Sequence, residues 1–218
     1  MVDVMPPRTR SDGTPQPAVR DRLLDAVDQH LFVTGAIGTP VDAILRAAGA
    51  SPPSLYKHFG SKTGLITAAL QRRLEIWSTV WQDEIDATSH PVRRVLSVYP
   101  AMRRYQQEHL QEKWCAFSGT RAAVPQRTPE LQQVLDAETE LLRSRHAELV
   151  AGLGLGPKAS ATLTSQLVVV YNGLLAQMLR EPYEEAIDDA EATALALVES
   201  ALARRPRGGV TARARESR

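Results

Sequence analysis

A single cysteine, Cys115, rules out an intrachain disulfide, and a reducing, cytoplasmic setting is expected. Aromatic residues make up only 5% while alanine and leucine abound, which favours helices over a β-sandwich. No run approaches the ~18 to 20 apolar residues of a membrane span, and the first residues lack an apolar signal core. Phosphate-cradling loops are missing too: Gly152–Gly156 (G-L-G-L-G) lies between helical patterns with no strand before it. The five histidines show no His-x-x-x-His or Glu-x-x-His spacing, and a lone cysteine offers no zinc framework. Neither an enzyme nor a cofactor or metal site is expected.

Net charge is scarce as well, at +1, but unevenly spread. Residues 1–73 carry 9 Lys/Arg against 6 Asp/Glu, residues 74–203 carry 11 against 18, and the last fifteen carry 6 against 1. Only the ends could therefore meet a polyanion.

What is present is helical periodicity. Apolar residues fill 43% of the chain, enough for a sizeable core. Val19, Leu23, Val27 and Leu31 recur every four residues, and Gly35 and Gly38 close that helix. Thr39-Pro40-Val41-Asp42 reads as the start of a second helix, with Thr39 as cap and Pro40 in the first position. Gly49 ends it. A third short helix spans about Pro53–Phe59, with Pro52 in the cap, and Ser61 caps a long fourth one. The stripe of the fourth is Ile66, Leu70, Leu74, Trp77, Trp81 and Ile85. Further helices are expected at about 91–108, 112–121, 129–152, 158–180 and 186–203.

Two short helices joined through A-A-G-A-S match a helix-turn-helix, whose second helix enters the DNA major groove. Leu55 and Phe59 would face inward. Ser54, Tyr56, Lys57 and His58 would face out, carrying groups that bind phosphates or base edges, with Lys62 adding a charge beside them.

Phe32, Gly35 and Thr39 precede three runs: V-D-x-I at 41–44, A-A-G-A-S at 47–51 and L-Y-K-H-F-G-S-K at 55–62. Over about residues 18 to 70 this order resembles the N-terminal domain of TetR/AcrR-family transcriptional regulators. K-W-C-A-F-S-G-T-R-A-A at 113–123 resembles a segment of AcrR-like members. The resemblance implies an all-α chain: a three-helix helix-turn-helix DNA-binding domain (18–65) and a larger helical ligand-binding and dimerisation domain (66–203). A flexible arm rich in proline (1–17) would precede them and a basic tail (204–218) would follow. The resemblance implies DNA-backbone contacts from Thr39, Tyr56, His58 and Lys62, and base readout by Ser51, Pro53, Ser54 and Lys57. The pair Pro52-Pro53 departs from the commoner pattern of a basic or small residue followed by glycine or another small one.

For the body, the resemblance implies a small-molecule pocket and a dimer bundle built from the last two helices. Bulky candidates for the pocket are Trp77, Trp81, Tyr99, Met102, Tyr105, Trp114, Phe117 and Met178, with Cys115 and Asn172 as polar handles; ordinary core packing is the alternative for each. Dimer candidates are Leu167, Tyr171, Leu174, Leu175 and Met178, and on the last helix Ala194, Leu197, Val198, Ala201 and Leu202. Arg93-Arg94 and Arg103-Arg104 read as solvated faces. The function expected is a homodimeric repressor that binds a pseudo-palindromic double-stranded operator and is released by a small-molecule effector. The alternative is a helical ligand-binding or scaffold dimer without DNA function.

Overall fold

A computed structural model of the chain describes residues 17–33, 38–109 and 114–204. The arm, the tail, Gly35 and Lys113 thus fall outside the described residues, apart from Pro17 and Arg204 at their edges. Among the described residues every regular element is a helix: α1 (Val19–Val27), α2 (Val41–Ala48), α3 (Pro52–Phe59), α4 (Lys62–Asp86), α5 (Pro91–Leu96), α6 (Val98–Glu108), α7 (Ala116–Ala123), α8 (Pro129–Ala151), α9 (Pro157–Gln177) and α10 (Tyr183–Ala203).

Several local features differ from the expectations. α1 runs on as a π-helical turn over Asp28–Val33, which no residue pattern announces. Pro40, in extended backbone, holds the cap position of α2 instead of Thr39, and its carbonyl accepts the Ala43 N–H at 3.1 Å. The stretch 91–108 is two helices meeting at Ser97. Pro100 explains the break: it has no N–H for the Leu96 carbonyl, and its ring crowds that turn. Ser97 Oγ accepts the Trp81 indole N–H at 3.0 Å, which fixes the corner to α4.

The apolar side chains form two cores. One gathers α1 to α3, the first half of α4 through Leu74, Ala116 and Phe117 of α7, and Leu131, Val134 and Leu135 of α8. The other starts at Trp77 on the same α4 and takes in α5, α6, the second half of α8, α9 and α10. So α4 is a single rod with one end in each core, and α7 and α8 brace the smaller one. A head of some forty residues buries too little surface to stand comfortably alone, and this bracing supplies the rest.

The pair Arg103-Arg104 is not simply solvated. Arg103 pairs with Asp188 at 2.6 Å and Glu191 at 2.8 Å, tying α6 to α10. Arg104 pairs with Asp83 at 3.2 Å on α4 and Glu108 at 3.0 Å on its own helix.

Candidate nucleic-acid interface and internal cavity

The turn between α2 and α3 is built from glycine backbone and an arginine that spans it. Gly49 takes a left-handed conformation (φ 55°) that ends α2 at little cost, because glycine has no Cβ to clash. Arg22 of α1 then reaches across, its Nε–H donating to the Ala48 carbonyl at 2.8 Å and a terminal N–H to the Gly49 carbonyl at 3.2 Å. Those carbonyls end a helix and have no partner within it, so Arg22 both satisfies them and fixes the turn to α1. Nothing in the sequence pattern marks Arg22, since an arginine flanking the apolar stripe of a helix reads as solvent-facing.

Ser51 caps α3 with extended backbone, and both prolines lie inside the helix as its first two residues. Pro52 therefore starts α3 and does not sit in the cap. Two prolines are tolerated there because the first N–H groups of a helix have no partner to lose. The earliest donor is the Ser54 N–H, bonded to the Ser51 carbonyl at 3.0 Å. The Ser51 and Ser54 hydroxyls meet at 3.0 Å.

Leu55 is buried in the smaller core, and Phe59 is partly buried with the Arg20 guanidinium 5.7 Å from its ring centre. Ser51, Pro53, Lys57 and His58 are exposed, Ser54 is half-buried, and Tyr56 is 60% exposed. One face of α3 thus carries a phenol, an ammonium, an imidazole and hydroxyls outward while Leu55 anchors the other. Lys62 and Thr39 meet each other: Lys62 Nζ donates to the Thr39 carbonyl at 2.7 Å, pinning the start of α4 to the loop before α2. Behind α3, Ser61 Oγ accepts the Gly64 N–H at 2.9 Å. A Cβ on Gly64 would lie 2.0 Å from the Phe59 carbonyl oxygen, so the residue must be glycine for α3 to end where it does.

Between the cores lies a buried ion pair. Arg73 Nε–H donates to Asp28 Oδ1 at 2.6 Å, and Arg72 donates to the other oxygen of Asp28 and to Asp25 at 2.8 Å. Arg73 also lies 4.6 Å from the Phe32 ring centre and 3.4 Å from the Tyr105 hydroxyl.

Arg73 and Tyr105 belong to the wall of an internal cavity of about 40 Å³. Of the expected pocket residues, Trp77, Met102, Tyr105, Trp114, Cys115, Phe117 and Met178 line it. Trp81 and Tyr99 do not; both are packed in the larger core. Asn172 is exposed on α9, its amide donating to the Val168 carbonyl at 2.9 Å. Arg73, Gln106 and Glu138 complete the polar part of the wall, and Tyr171 and Leu175 join it from the residues expected at a dimer interface. No sequence signal points to those three polar groups, because charged and amide residues in helical patterns read as solvent-facing. The Cys115 thiol is pushed up by burial and by the Glu138 charge, so it stays protonated and its nucleophilicity is low.

Most of the remaining dimer candidates are also turned inward. Leu167, Leu174, Met178, Ala194 and Val198 are buried within the chain's own core, as is Tyr171; a helix apolar on several sides spends its best side on its own fold. Leu197, Ala201 and Leu202 are only partly buried. The apolar surface left outside near these two helices is Val169 (69% exposed), Leu179 (61%) and Leu195 (37%).

A helix-turn-helix presenting polar groups from α3, carried on an all-helical body, defines a class of DNA-binding regulator. Residues 23–69 match the family model of bacterial regulatory proteins of the tetR family. The fold is similar to that of a TetR-family transcriptional regulator from Streptomyces coelicolor (22% identity, TM-score 0.71, 85% of this chain and 94% of that one). It is also similar to a TetR transcription regulator from Haloarcula marismortui (16% identity, TM-score 0.69, 84% and 97%). A third likeness is to the reduced form of NemR from E. coli (17% identity, TM-score 0.66, 82% and 97%). No curated protein matches the sequence. Residues 23–69 thus carry the N-terminal domain of the tetR family, and over most of the chain the fold is that of TetR-family regulators.

Proposed function

We propose that the chain is a homodimeric repressor that leaves a pseudo-palindromic operator when a small molecule enters the body. The observation that carries this reading is the division of α3: Leu55 sealed in the core, and Pro53, Tyr56, Lys57 and His58 exposed beside it. A helix held this firmly on its inner side can present a fixed set of groups to a major groove. Pro53, exposed and stiff, offers an apolar surface suited to a thymine methyl, with Lys57 as the polar reader.

Val169, Leu179 and Leu195 support a two-fold interface on the outer face of α9 and α10, since isologous contacts need one self-complementary apolar patch. The cavity supports effector binding by its composition, several aromatic rings with a few polar groups. At about 40 Å³ it is too small for a drug-sized molecule, and an effector must open it further. Opening is the switch in this reading: an effector that binds the open form better shifts the population away from the head spacing that fits DNA. Among the described residues no helix is long and apolar enough to cross a membrane.

Titrating binding to the DNA upstream of its own gene in rising salt tests the reading. Affinity should fall linearly on a log–log plot as counterions are released. Binding that ignores salt, or sedimentation as a monomer at micromolar concentration, would contradict it.

A further inference from the structure

Glu138 of α8 lines the cavity, partly buried, beside the Cys115 thiol and the Tyr171 ring. Its carboxylate is answered by one long hydrogen bond and by the field of Arg121. The hydrogen bond it accepts comes from the Thr139 hydroxyl at 3.3 Å. Among the described residues, no lysine, arginine or histidine forms an ion pair with it; the acidic partners of the arginines there are Asp25, Asp28 and Asp136.

The nearby cations are already committed. Arg121 reaches Asp136 at 3.4 Å, donates to the Thr139 hydroxyl at 3.0 Å and also bonds the Leu135 carbonyl. Arg73, the cation on the cavity wall, is bound to Asp28 at 2.6 Å. Around Asp28 two arginines face two aspartates, so among the described residues that cluster is balanced. Among the described residues the charge left over around the wall is negative. An anionic effector would have to compete with Asp28 for Arg73 and would lie in the field of Glu138. A cationic one would meet Glu138 and ring faces whose quadrupoles attract positive charge.

We propose that the cavity takes an organic cation, a protonated or quaternary amine on an apolar frame, with Glu138 as its counter-charge and Trp77, Tyr105, Trp114 and Tyr171 as its walls. Burial raises the Glu138 carboxyl above its ordinary range and outweighs the Thr139 hydrogen bond and the Arg121 charge, so its negative charge is only partly compensated and a cation in the cavity would complete the compensation. Space comes from the Trp114 ring. It lies over Gly119, where a Cβ would fall 1.5 Å from a ring carbon, and its buried N–H has no acceptor among the described residues. Among the described residues no hydrogen bond holds that ring, so it is the wall that yields at least cost.

The inference rests on reading the cavity as an effector site, and three small probes separate the two claims. Calorimetry on the full chain would compare phenyltrimethylammonium, its uncharged isostere tert-butylbenzene, and benzoate. The expected result is that the cation binds at least about tenfold more tightly than the isostere. In Glu138→Gln the two should come within about threefold, the isostere's own affinity being unchanged. If the isostere or benzoate binds as well as the cation, or Glu138→Gln keeps the preference, the cation claim is wrong although the effector site stands. If no probe binds, the effector site itself is wrong and the cation claim falls with it.

Discussion

Arg73 on α4 and Asp28 on the π-helical turn after α1 are joined by a 2.6 Å hydrogen-bonded ion pair, with side chains 1% and 3% exposed. The pair sits where the two cores meet, and the same arginine reaches the cavity wall through Tyr105. Through α1, Asp28 belongs to the head; through Arg73, it feels the body. A buried pair costs desolvation and adds little net stability, but breaking it strands a charge. Arg73→Met should therefore destabilise the fold by about 3–5 kcal/mol, and Asp28→Leu with Arg73→Met should recover most of that. Urea unfolding of the single and double variants decides the matter; equal losses in both would show that the two residues are not coupled.

Lys57 and Lys62 should separate in their effects. Lys57→Ala removes an exposed side chain, so it should weaken operator binding and lower the salt slope by about 1 with stability unchanged. Lys62→Ala removes the bond to the Thr39 carbonyl, so it should also cost about 1 kcal/mol of folding stability. A denaturation curve for each, set beside its salt titration, tests both; matched stability in the two variants would contradict the Lys62 contact.

Gly64→Ala places a methyl group against the Phe59 carbonyl, backbone that cannot turn aside. α3 must then shift against α4, at a cost of about 1–3 kcal/mol. Operator affinity should fall beyond what lost stability accounts for, and this is read from binding at a temperature where the variant remains folded.

His146 is buried against the Trp81 ring, and its Nδ1 lies 2.8 Å from the Leu142 carbonyl, which assigns the proton to Nδ1. Burial lowers its pKa from the ordinary 6.5. Its folded value is below its unfolded one, so the unfolded chain takes the proton first as pH falls. The contribution to stability is complete above about pH 6.5 and is lost as pH drops through that range. Unfolding of His146→Gln should show a shallower acid loss than the parent between about pH 7.5 and 5; parallel curves would sink the assignment.

How far the sequence speaks differs by element. The head is legible because its punctuation is strong: Gly49, Ser51, the two prolines, Gly60 and Ser61 each mark an end that backbone chemistry dictates. The apolar stripe of α4 is legible because 3.6-residue periodicity survives across both cores, from Ile66 to Ile85. The Asp28–Arg73 pair is not, since its members are 45 residues apart and charged residues in helical patterns read as surface. Glu138 is hidden for the same reason. On α9, period alone cannot tell which apolar side a helix spends on its own chain. Tyr171 and Met178 lie in the core, and Val169 lies outside.

Whether two copies of α3 read DNA as a symmetric pair is decided by selecting bound fragments from random double-stranded DNA. An enriched pseudo-palindrome is expected, with half-site centres about 34–36 Å apart or a multiple of that spacing. Recovery of no enriched sequence, or of a single asymmetric site bound by one copy, would contradict the symmetric reading.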